Sequence, residues 1–187
     1  MVTIVPYQPN WPDEFQQLGN VLRQALGKSA LRIDHIGSTA VPHLAAKDRI
    51  DIQLTVAALT PAVEQALNEI GYTRHVHLSD HPLTGSSTDP DEWTKWVFKP
   101  PIGQRPTNLH VRIAGRANQR FALLFRDFVR RHPAYAAAYA AVKQQLAQHL
   151  ADSTMYSVVK QPSVELIYFA AEKWAAEKAW QPGASDA

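Results

Sequence analysis

The run from Leu31 to Val56, LRIDHIGSTAVPHLAAKDRIDIQLTV, constrains the fold more than any other part of this 187-residue chain. It reads as a strand, a tight Gly-Ser turn, a short irregular or helical segment and a second strand. Leu31, Ile33 and Ile36 are the apolar positions of the first strand, which Gly37-Ser38 closes. In the second strand Ile50, Ile52, Leu54 and Val56 alternate with Asp51, Gln53 and Thr55. Successive strand residues point to opposite faces, so this alternation sets one apolar face on a core and one polar face toward a cleft. Glycine lets the backbone bend and approach closely, and a Gly-Ser turn can aim backbone N–H groups at an anion. A candidate phosphate cradle therefore stands one short loop from a candidate metal carboxylate.

The remaining chain supplies partners for this unit. Thr3 to Val5 is a short strand or extended arm. Trp11-Pro12-Asp13-Glu14 opens a helix, because proline in the first turn lacks an N–H that would go unpaired and acids favour the N-terminal dipole. Phe15, Leu18, Val21, Leu22 and Leu26 then recur at helical spacing, and Gly27 caps the end. A second helix runs from Thr60-Pro61 to Gly71, and Tyr72 to Val76 is a strand. His77 to Glu92 is rich in Gly, Pro and Ser and reads as a long loop placed over a cleft. Thr94 to Lys99 and Asn108 to Ile113 are two more strands; on the second, Asn108, His110 and Arg112 share a face. Helices follow over Asn118 to Arg131 and from Pro133 to about Ala151. A further segment starts at Asp152-Ser153, is broken or kinked by Pro162, and leads to a last helix from Ser163 to about Trp180, followed by a polar tail. Strands early and helices late predict a mixed α/β fold: one domain over 1–187, with a sheet lobe over about 1–115, a helical lobe over about 116–180, and a cleft between them.

Composition excludes several functions. Apolar content of 45% and charged content of 19% describe an ordinary globular chain. A formal charge of +2, with no basic stripe, argues against nucleic acid as a partner. The absence of cysteine excludes disulfides and thiolate metal sites and suits a reducing compartment. MVTIVPYQPNW has no basic region followed by an apolar run, so it is no signal peptide, and no apolar run approaches membrane-spanning length. The cytoplasm is the expected location.

The segment HIGSTAVPHLAAKDRIDIQL, His35 to Leu54, resembles the signature of the GrpB family, which is similar to the nucleotidyltransferase superfamily. In that superfamily a Gly-Ser turn precedes a strand carrying one carboxylate, an apolar residue and usually a second carboxylate. Gly37-Ser38 match the turn and Asp51 the first carboxylate, whereas Gln53 stands where the second would be. His43 and Asp48-Arg49 also depart from the pattern, which expects glycine and an apolar pair containing proline. NLHV at Asn108 to Val111, LLFRDF at Leu123 to Phe128, and the pair Tyr156 and Lys160 extend the resemblance over roughly Ile4 to Phe169. It implies a nucleotidyltransferase-like fold, a mixed sheet flanked by helices with a C-terminal helical part. GrpB-like domains also occur fused to dephospho-CoA kinase, which implies that an accessory role exists.

Two functional expectations follow. In the first, the chain is a metal-dependent nucleotidyltransferase acting on a small molecule. Gly37 and Ser38 hold a nucleoside triphosphate, and Asp51 ligates Mg²⁺ (or Mn²⁺), which bridges the phosphates. Arg112, Arg126, Lys143 and Lys160 are candidate phosphate partners, and His110 is the candidate base for an unknown acceptor. Gln53 ligates a metal weakly or fixes a substrate group. His35 and His110 are either core histidines or, with Asp51, a mixed nitrogen–oxygen site suited to Mn²⁺ or Zn²⁺. Asp89, Asp91 and Glu92 are loop acids, one of which could swing in as a further carboxylate. In the second expectation, the loss of an acid at Gln53 leaves a non-catalytic module that binds a nucleotide or anion without turning it over.

Overall fold

A computed structural model describes residues 2–75 and 80–187. Five strands form one mixed sheet: β1 (Arg32–Ile36), β2 (Ile50–Val56), β3 (Thr73–His75), β4 (Lys95–Lys99) and β5 (Thr107–Ile113). Their order is β1-β2-β5-β4-β3. Only β2 and β5 run parallel; the other three pairs are antiparallel. Five helices flank the sheet: α1 (Trp11–Leu26), α2 (Pro61–Glu69), α3 (Ala117–Arg131), α4 (Pro133–His149) and α5 (Ser153–Lys178). This is the mixed α/β architecture, with C-terminal helices, that the pattern predicts. Among the described residues no helix is long and apolar enough to cross a membrane.

Register explains which helix covers which face. Ile33, Ile50, Ile52, Leu54, Leu109 and Val111 all point to one side and pack on Trp11, Phe15 and Leu22 of α1 and Val63 and Leu67 of α2. The opposite side carries Asp51, Gln53 and Thr55 of β2, paired in register with Asn108, His110 and Arg112 of β5. Helix α3 lies on that side against β1, β2 and β5, and α4 and α5 pack on α3. A second apolar core, including Leu124, Phe128, Tyr139, Ile167 and Ala171, joins these three helices.

Local chemistry accounts for most element ends. Thr60 caps α2 by accepting from the Val63 N–H, and Asp152 caps α5 by accepting from the Thr154 N–H. The N-terminal arm is a single bridge, Val5 to Ala46, closed by two backbone hydrogen bonds of 2.8 and 3.0 Å. The strand over Tyr72 to Val76 shortens to β3; Val76 and loop residues 77–79 lie outside the described residues. Of the two outcomes expected at Pro162, a break or a kink, the break does not occur. Helix α5 runs through it for 26 residues. The Ser163 hydroxyl donates to the Lys160 carbonyl at 2.7 Å, giving one acceptor near the proline a partner.

The polar tail has a definite place. Asp186 and Ala187 donate their N–H groups to the Ile33 carbonyl at 3.1 Å, and Ser185 Oγ accepts from the Ile33 N–H at 2.8 Å. The tail thus pairs with β1, the outermost strand, on the side away from β2, where unpaired backbone groups would otherwise face water. Arg126 of α3 locks it: its guanidinium is 3% exposed and donates to the His35 carbonyl at 3.1 Å and to Asp186 at 2.6 Å. Arg126, expected from sequence among the phosphate partners, sits in this tail clamp and is not among the residues that line the cleft. Replacing it by methionine strands a buried carbonyl and a carboxylate, and the expected loss is about 3 kcal/mol. Urea unfolding of Arg126→Met checks this, and an unchanged midpoint would show that the clamp carries no stability.

Candidate functional site

Asp51 is the first polar residue of β2, and Asn108 is its register partner on β5. Asn108 Nδ2 donates to Asp51 Oδ1 at 2.7 Å, and Arg49 in turn donates to Asn108 Oδ1 at 3.2 Å. The other side of the carboxylate lies against Gly37. A methyl group on that glycine would stand 3.0 Å from Asp51 Cγ, and the glycine φ is +70°. Both the space and the dihedral therefore demand glycine here. The Gly-Ser corner and the aspartate do border one hollow, a cleft of about 1050 Å³ between the sheet and the C-terminal helices.

Cations converge on this hollow. Lys47 Nζ lies 4.3 Å and Lys160 Nζ 5.8 Å from the ring centre of Tyr156, so both ammonium groups share one aromatic ring. Lys143 Nζ lies 4.7 Å from the ring of Tyr139 and donates to the Ala45 carbonyl. Tyr139 and Ser38 both line the cleft. Among the described residues, none of the three lysines forms a salt bridge with a carboxylate. Burial, together with repulsion from Lys160, brings Lys143 down to about 7. Burial lowers Lys47 and Lys160 as well. Burial raises Asp51, against the pull of Asn108, Lys160, Arg49 and Lys47. Asp80 and Glu165 also line the cleft, but Asp51 is the acid at the Gly37 corner that acts on these three lysines.

Beyond Asp51 the polar face of β2 is sealed rather than open. Gln53 is fully buried; its amide nitrogen donates to the Gln119 carbonyl at 3.1 Å and its oxygen accepts from Arg112 at 2.7 Å. It is not among the residues that line the cleft, so the metal-ligand or substrate-fixing role expected of it has no geometric support. Arg112 lines the cleft but is engaged: Asp80 accepts from its Nε at 3.0 Å and also binds Lys95 Nζ at 2.5 Å and Asn118 Nδ2 at 3.2 Å. The two cations hold Asp80 well below the usual carboxylate range despite burial. His110 also lines the cleft. Burial and the neighbouring Arg112 and Lys95 keep its imidazole neutral, and among the described residues its Nδ1 has no partner. His35 is elsewhere. It pairs with Ile52 in register and so faces away from Asp51. Its ring stacks on Phe15 at 4.8 Å and its Nε2 meets Thr39 Oγ1 at 3.0 Å. The expected His35–Asp51 metal pair is therefore divided by the sheet.

Of the site residues expected from sequence, the cleft brings together Gly37, Ser38, Asp51, His110, Arg112, Lys143 and Lys160. It adds Lys47, Arg49, Asn108 and Tyr139. The signal for Arg49 was its parity with Asp51, two residues apart on one face. The loop acids Asp89, Asp91 and Glu92 do not line it; Glu92 instead accepts from the Ala117 N–H at 2.7 Å, capping α3. Among the described residues no group of three His, Asp or Glu side chains could hold a metal ion. The protein donors at this corner amount to one carboxylate, which fits an ion arriving on phosphates and not an ion caged by protein alone. Gly37→Ala should cost about 2 kcal/mol or more, from its φ and the Asp51 contact together. Gly103→Ala, with φ +80° and open space around it, should cost only about 1 kcal/mol. Paired denaturation curves decide; equal losses contradict the close approach to Asp51.

The model of the family described as GrpB protein matches residues 1–169. The chain is 39% identical to a dephospho-CoA kinase of Mycolicibacterium paratuberculosis over 97% of its own length but only 48% of that protein, so it spans about half the length of such curated relatives. It is 36% identical to a UPF0157 protein of Halalkalibacterium halodurans, over 79% of this chain and 70% of that one. A crystal structure of the conserved protein GrpB from Enterococcus faecalis superposes with a TM-score of 0.74 at 28% identity, covering 96% of this chain and all of that one. With its signature segment folded around the Gly37–Asp51 corner, the chain belongs to the GrpB family.

Proposed function

We propose that this chain is a phosphate-binding domain whose cleft holds a nucleotide or related phosphorylated small molecule, without needing to turn it over. The observation that carries the reading is the convergence of Lys47, Lys143 and Lys160 beside the Gly37–Ser38 turn, with Asp51 as the acid that pulls on all three. The buried Lys143 ammonium and the half-buried Lys160 ammonium are held away from water at a cost, which a bound oxyanion offsets through charge-assisted hydrogen bonds, while Lys47 adds its charge from the exposed rim. The relatives named dephospho-CoA kinase support an accessory role beside a nucleotide-handling enzyme.

Nucleotidyl transfer, and with it a place in the nucleotidyltransferase superfamily, is the second reading. What favours it is the pairing of the glycine-serine turn with Asp51, and a His110 imidazole that lines the cleft with an unpaired Nδ1 among the described residues; burial, Arg112 and Lys95 weaken it as a base. A Mg²⁺ or Mn²⁺ ion carried on the phosphates would find Asp51 as its protein carboxylate. With Gln53 occupied by Arg112 and Gln119, the second carboxylate of a two-metal site has no substitute.

Calorimetric titration with ATP, with and without Mg²⁺, tests the binding reading. Lys160→Met should weaken binding by about tenfold or more, and wild-type protein that ignores every nucleotide would falsify the reading. Release of pyrophosphate from bound ATP would instead establish the catalytic one. A second test uses pH. Lys143 loses its proton around pH 7 in the free cleft, and a neighbouring anion favours the charged form. Affinity for sulfate, whose own charge is constant here, should therefore be highest well below that pH. It should fall as pH rises through it, by up to about tenfold per pH unit. Lys143→Met should remove this slope; a flat wild-type profile contradicts the assignment.

A further inference from the structure

The cleft is much larger than a phosphate cradle requires, and its two ends differ in chemistry. One end holds the Gly37 turn, Asp51 and the three lysines. Beyond Tyr139 the lining includes Phe121 and Phe125 of α3, Val164 of α5, and Leu83 and Trp93 of the segment before β4, with Asp80, Arg112 and Glu165 as charged neighbours. The two ends are joined by a row of rings. Phe121 and Phe125 have centroids 6.1 Å apart, Phe125 meets Tyr139 edge-on at 5.7 Å, and Lys143 Nζ lies 4.7 Å from the Tyr139 ring. Leu83 and Trp93 also border a second hollow of about 350 Å³, which extends the apolar wall to Tyr168 and Phe169. Phe121 and Phe125 are only half-buried, so part of this wall is left to water.

Resting on the phosphate reading above, we propose that the ligand is an amphipathic phosphate ester: its phosphate lies on the lysine end and an apolar body lies along the aromatic row. A purely polar phosphorylated ligand would leave the ring faces hydrated. A ring or short hydrocarbon attached to the phosphate displaces that water and gains affinity in proportion to the area it covers.

Calorimetry on the full chain with four probes tests this: inorganic phosphate, 1-naphthyl phosphate, octyl phosphate and 1-naphthol. At least one of the two esters should bind about tenfold tighter than inorganic phosphate or better, and 1-naphthol should bind more weakly than 1-naphthyl phosphate. The ranking of naphthyl against octyl distinguishes a ring-bearing from a chain-bearing natural ligand. Phe121→Ala should return the tighter ester to the affinity of inorganic phosphate while leaving phosphate itself unchanged; Lys160→Met should weaken all three phosphates. If Phe121→Ala loses its folded circular dichroism spectrum, Leu83→Ser, outside the helices, serves as the second variant. Phosphate binding without any gain from either ester overturns this inference and leaves the phosphate reading standing. No binding of any phosphate probe overturns both.

Discussion

A strand must turn alternate side chains to opposite faces, and β2 obeys this through all seven of its residues. Its apolar row enters a core closed by α1 and α2. Its polar row meets α3, which covers Gln53 and Thr55 but leaves Asp51 under the Gly37 turn. The parallel neighbour β5 extends the same face with Asn108, His110 and Arg112. Every candidate role rests on this division, because it decides which polar groups are consumed by packing and which remain open to a ligand.

The charges divide along the same line. Arg112 and Lys95 share the Asp80 carboxylate, and Arg126 pairs with Asp186 and Asp127. These pairs are buried, and a buried charge is tolerated only when its partner stays in place. The lysines around Tyr139 and Tyr156 are different. They repel one another and face aromatic rings and one aspartate, with no carboxylate pair among the described residues. Lys143 is buried and Lys160 half-buried without a carboxylate partner among the described residues, with the exposed Lys47 beside them, and this asymmetry is what supports the proposal of an anion as their partner.

The strand alternation, the glycine corner and the helix stripes were legible in the sequence because each follows from a local period or a steric demand. The two faces of a strand were legible too, but not which of them would be roofed. That is why His35 and Gln53 were expected at the site: parity separates His35 from Asp51 only once the β1–β2 register is known, and Gln53 is withdrawn by a helix more than sixty residues away. Arg126 was misplaced for a similar reason, since its anchors include a backbone carbonyl and an acid in the tail. Lys47, Arg49 and Asn108 gave no strong signal, as a lone lysine, arginine or asparagine in a loop or strand is ordinarily solvated. Pro162 left a break or a kink open from sequence, and α5 continues through it without a break.

The most direct measurement is lysine side-chain NMR on ¹³C,¹⁵N-labelled protein during titration with ADP. The cleft account predicts that the Lys47, Lys143 and Lys160 signals shift together along one saturating curve. The surface lysines Lys28 and Lys178 should stay in place. Saturating shifts confined to surface lysines, or no shift at millimolar nucleotide, would contradict it.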